Sequence, residues 1–145
     1  MPRTVNKYSY PVDFDAITMA VDKTSSDSHE GPYRGSIDFA VPLETTVYAG
    51  AAGVVQRVRD DSDRHGKTSD FGPDVNYITI EHAHSELSEY LHLAKGSALV
   101  KVGDKVTRGQ AIAKTGLSGW LYAPHLHFMV YKNGQEFRCL DITFI

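Results

Sequence analysis

The sequence predicts an all-β protein. Short runs alternate apolar and polar residues, Gly, Pro, Asp and Asn interrupt those runs, and no stretch keeps apolar residues at helical spacing long enough for a helix. Predicted strands cover residues 35–40, 46–48, 53–59, 76–82, 88–93, 110–115 and 125–132, and a closing segment at 136–143 completes the pattern. Residues 1–27 read as an N-terminal extension packing on one domain that spans 1–145.

Each element has its own reason. In GSIDFA, Ile37 and Phe39 face a core and Asp38 faces away, because successive strand side chains point to opposite faces. Residues 60–74, DDSDRHGKTSDFGPD, hold too little apolar surface to join a core and form a surface loop. The same alternation in SEYLHL puts Ser88, Tyr90 and His92 on one face and Leu91 and Leu93 on the apolar one. Residues 100–114, VKVGDKVTRGQAIAK, place Gly-Asp and Arg-Gly turn pairs between short strands. In HLHF, His125 and His127 share a face while Leu126 and Phe128 take the other, with the two histidine α-carbons about 6.5–7 Å apart. That spacing suits one histidine on a metal and its neighbour reaching a water beside it.

Composition narrows the function. With 41% hydrophobic and 23% charged residues the chain is an ordinary globular one, and no apolar run approaches a membrane span of roughly 20 residues. Net charge −3, with Lys and Arg scattered, leaves no basic footprint for nucleic acid or an anionic membrane. The opening MPRTVNKYSYPVDF has no apolar core of a secretory signal. One cysteine, Cys139, excludes an internal disulfide and a cysteine-rich zinc module, so metal ligands must be His and carboxylates; Cys139 itself reads as a small buried strand residue.

Three strand segments thus direct Asp38, His92 and the His125/His127 pair out of a sheet, and a site assembled across strands explains them together. An HxH pair alone is a weak signal. The second one, His82 and His84, is followed by polar SELSE and reads as a turn, and His65 in the acidic loop reads as solvated.

The segments SHEGPYRGSIDFAVP, VYAGAAGVV, SEYLHL, VKVGDKVTRGQAIAKTGLSG and PHLHFMVY occur in an order that resembles lysostaphin-type peptidoglycan metallopeptidases, over roughly seventy per cent of the chain. The resemblance implies a compact two-layer antiparallel sheet or half-barrel and one zinc ion per chain. It implies His29, Asp38 and His127 as ligands, with His92 and His125 flanking the open position. Two imidazoles and a carboxylate are the donor set of a catalytic zinc site with one place left for water. No HExxH helix supplies a Glu base, so a histidine must move the proton: His125 first, with His92 sharing the role or bonding the oxyanion. Tyr90, Trp120 and Tyr122 are candidates to contact a peptide or peptidoglycan substrate.

Departures are specific. Eight residues separate His29 from Asp38 where many members have three, and Arg34 holds the short-spacing position. Glu44 replaces a Gly in the PLETTV turn, and Leu121, Tyr122 and Ala123 stand before PHLHF in place of Ser-Thr-Gly. The alternatives are a non-catalytic module of this fold, a peptidase acting on a non-murein peptide, and a lipoyl-like carrier domain. The last lacks its exposed lysine in an MKM-like tip, and the first would lack a ligand or base, whereas all five positions are occupied here.

Overall fold

The computed structural model describes residues 2–18, 35–136 and 138–145. It holds twelve strands and short 3-10 turns: β1 (Arg3–Tyr8), β2 (Ile37–Ala40), β3 (Thr46–Tyr48), β4 (Gly53–Arg59), β5 (His65–Gly66), β6 (Tyr77–Glu81), β7 (Glu86–Leu91), β8 (Lys105–Val106), β9 (Ala111–Lys114), β10 (Gly119–Trp120), β11 (His125–Lys132) and β12 (Asp141–Phe144). Among the described residues no helix is long and apolar enough to cross a membrane.

Six strands form one antiparallel sheet in the order β2-β11-β7-β6-β4-β8. The antiparallel pair β3-β9 belongs to the second layer, while the small pairs β1-β12 and β10-β5 are parallel. The core between the layers is filled by alternate side chains: Ile37 and Phe39 from β2, Leu126, Phe128 and Val130 from β11, Ile78 and Ile80 from β6, facing Val47 and Ile112. Polar alternation lapses on the second half of β11, where Met129 and Tyr131 pack with Leu87 and Cys139 into a small second core. The closing segment explains this, since Cys139 bridges Tyr131 and covers that face.

The N-terminal extension contributes β1, and Tyr8 enters the main core. Its anchor is Glu86, a fully buried carboxylate that accepts hydrogen bonds from Val5 N (2.6 Å), Asn6 N (3.1 Å), Asn6 Nδ2 (2.9 Å) and Tyr8 Oη (3.0 Å). A buried carboxylate needs such a set of donors to remain in the interior. The acidic segment 60–74 is more structured than a plain loop: β5 pairs with β10, and Ser69–Asp74 is a 3-10 turn. Glu44 takes the left-handed conformation (φ 63°) that a glycine would adopt without strain.

Candidate active site

Register builds the site. On β11, His127 stands opposite Asp38 of β2, and the pleat turns both to the same face as His125. Asp38 Oδ1 lies 2.9 Å from His127 Nδ1 and 3.5 Å from His125 Nε2. All three side chains are nearly covered, with 17%, 6% and 16% of their surfaces exposed for Asp38, His127 and His125. Their donor atoms lie within 4.8 Å of one another, close enough to share one ion. Bonds of 2.0–2.1 Å in a tetrahedron place neighbouring donors about 3.3 Å apart, near the separations seen here. The residues therefore fit zinc in donor chemistry and in spacing. His29 and Arg34 lie outside the described residues.

Both flanking histidines are oriented by backbone carbonyls. His125 Nδ1 donates to Ala123 O (2.8 Å), and His92 Nδ1 donates to Ser118 O (2.7 Å). A carbonyl only accepts, so in each neutral ring Nδ1 carries the hydrogen and Nε2 the lone pair. The His92 ring centroid sits 4.6 Å from that of His125 and 6.2 Å from that of His127. Burial, reinforced by His125, pushes the His92 pKa down to about 3, so it remains neutral at pH 7.

Tyr90 requires a correction. It does not share a face with His92: it is fully buried, its ring 5.1 Å from Phe128, and its hydroxyl accepts from Gly50 N (2.9 Å) and hydrogen-bonds with Ser88 Oγ (2.9 Å). It is a core residue with no surface open to a substrate. The cause is local: β7 ends at Leu91, and His92 has φ 69°, which breaks the alternation and turns its ring toward the histidine pair. Leu91, expected on the apolar face, instead lies opposite His127 in the register. Trp120 sits in β10, half-buried, and Tyr122 is 65% exposed in the turn entering β11, whereas Leu121 between them is buried.

His82 is held by Ala52 O and Ser88 Oγ (both 2.7 Å) inside the structure, and His84 sits in the turn. The carbonyls of Ala123 and Ser118 have no signature in the sequence, because every residue carries one. Asn76, an amide at the head of an apolar strand in the sequence, is buried and donates its backbone N–H to Ser118 Oγ.

The profile of peptidase family M23 matches residues 32–139, most of the chain, including the segments that carry Asp38, His92, His125 and His127. The chain belongs to peptidase family M23. Peptidoglycan DD-endopeptidase ShyA of Vibrio cholerae serotype O1 is 38% identical over 109 residues, which is 75% of this chain and 22% of that protein. The chain thus spans about a quarter of the length of the curated relatives it matches. Among solved structures, a zinc containing peptidase from Vibrio cholerae superposes with TM-score 0.64 at 34% identity, covering 93% of this chain and 39% of that one. The catalytic domain of lysostaphin from Staphylococcus simulans gives 0.54 at 29% identity, with 68% and 67% covered. This M23 chain has the lysostaphin-like all-β fold, its site face on the outer side of the six-stranded sheet.

Proposed function

We propose that this domain is a zinc-dependent endopeptidase that hydrolyses peptide bonds in peptidoglycan stem peptides or cross-bridges. The observation that carries the reading is the Asp38, His125 and His127 cluster, three ligand-competent groups gathered on one sheet face. The M23 relatives named for peptidoglycan support the substrate class, and with it action in the periplasm or cell wall. Asp38 and His127 hold the metal, with His29 as the third ligand. When bound, zinc supplies Lewis acidity at the scissile carbonyl and lets water ionise near neutral pH.

The chain's own groups then handle the proton. His125 presents Nε2 toward Asp38, with Nδ1 committed to Ala123, so this nitrogen takes a proton from the attacking water and returns it to the leaving amine. His92, neutral and protonated at Nδ1, offers only an acceptor at Nε2, which favours water orientation over oxyanion donation. Tyr122 and Trp120 form one wall of the substrate groove at the entry to β11. A second reading makes His125 itself the third ligand, favoured by its 3.5 Å approach to Asp38.

Incubation of the protein with intact murein sacculi, with mass analysis of what is released, tests the function. Soluble fragments with newly exposed amine and carboxyl ends inside peptides are expected, and their absence in the presence of zinc counts against murein as substrate.

A further inference from the structure

The geometry points to Ser118 and Asn76 as positioning residues for His92, an inference that rests on the role in hydrolysis given to His92 above. His92 leaves β7 in a left-handed conformation that a β-strand does not supply. Two contacts keep it there: Gly116 N donates to His92 O (2.9 Å), and the His92 ring donates to Ser118 O (2.7 Å). The second contact orients the ring, and it is only as firm as the Ser118 carbonyl.

That carbonyl is fixed through its own side chain. Ser118 Oγ donates to Leu93 O (2.9 Å) and accepts from Asn76 N (3.0 Å). Asn76 is fully buried: Nδ2 donates to Ser62 O (2.7 Å) and Leu93 O (3.1 Å), and Oδ1 accepts from Ser62 N (3.0 Å). One polar knot therefore joins the residue after His92, the loop after β4, the entry to β6 and the approach to β10. Because it ends on a carbonyl, it selects the tautomer of His92 as well as its place, leaving Nε2 as the acceptor. Partners that orient metal-ligating histidines through the other nitrogen change affinity or activity about 10–100-fold when removed, and a similar scale is expected for His92 beside such ligands.

The test uses the zinc-loaded protein labelled with nitrogen-15, long-range proton–nitrogen correlations of the His92 ring, and purified cross-linked dimeric muropeptides as substrate. Wild type should show a single tautomer protonated at Nδ1. In Ser118→Ala the ring nitrogens should shift toward a tautomer mixture, and kcat should fall about 10–100-fold with KM and zinc content within about twofold. In a His92→Ala background the same change should cost less than about twofold in kcat. Unchanged ring shifts in Ser118→Ala, or an undiminished loss in the His92→Ala background, would overturn the assignment by marking a merely structural role. Should Ser118→Ala fail to fold, Asn76→Ser, which keeps the backbone donor to Ser118, is read through the same shifts. Full activity of His92→Ala would sink the role of His92 in hydrolysis, while the ring shifts would still decide whether Ser118 orients it.

Discussion

At the scale of single residues, the two histidines of HLHF differ in their surroundings although both face Asp38. His127 lies closer, Nδ1 at 2.9 Å, and is the deeper of the two. His125 has one nitrogen committed to Ala123 and the other turned toward the same carboxylate. If His127 is a ligand and His125 a base, His127→Ala should lose zinc and activity together. His125→Ala should keep close to one zinc per chain and lose turnover by a factor of order 10²–10⁴. Metal analysis after dialysis, paired with muropeptide turnover, checks this. A zinc-free His125→Ala would establish His125 as the third ligand, and retention of metal and activity in both variants would move the site elsewhere.

At the scale of elements, β7 shows how one backbone dihedral redistributes roles. Regular alternation through SEYLHL would align Tyr90 with His92; the left-handed turn at His92 separates them, sending the tyrosine to the core and the histidine to the site. Tyr90→Phe therefore belongs to stability and not to binding. It strips an acceptor from the Gly50 N–H and a partner from Ser88, both buried, at a cost of about 1–3 kcal/mol. Urea denaturation should register that loss while KM on muropeptides and zinc content stay as in wild type. A raised KM at unchanged stability would restore Tyr90 to the groove.

At the scale of the whole molecule, two buried neutral histidines couple folding to pH. Burial is the main cause lowering both His82 and His92, the latter from 6.5 to about 3. The unfolded chain then binds more protons than the folded one in the interval between those values, so stability rises with pH across it. The contribution is complete above about pH 6.5 and disappears progressively as pH falls toward 3. Denaturant titrations of zinc-free protein from pH 7.5 down to 4 should show decreasing unfolding free energy. A flat profile would mean that these rings are hydrated in solution. The latch of β1 onto Glu86 works at this scale as well, tying the first residues to the sheet that carries the site.

Local patterning is enough to set the all-β class, the strands bearing the candidate site and the face on which Asp38, His125 and His127 meet. Period-two alternation is a local property of a strand, and Ile37, Phe39, Leu126 and Phe128 mark it plainly. Motif order carried the family as well. Tertiary structure alone decided what depends on the chain's path between strands: the φ of 69° at His92, the burial of Tyr90, the pairing of β5 with β10, and the carbonyls of Ser118 and Ala123 that orient two imidazoles. Backbone carbonyls are common to every residue, and a left-handed histidine has no local signature. Their meaning arises only when residues far apart in the chain are brought within 3 Å, as His92 and Ser118 are at 2.7 Å.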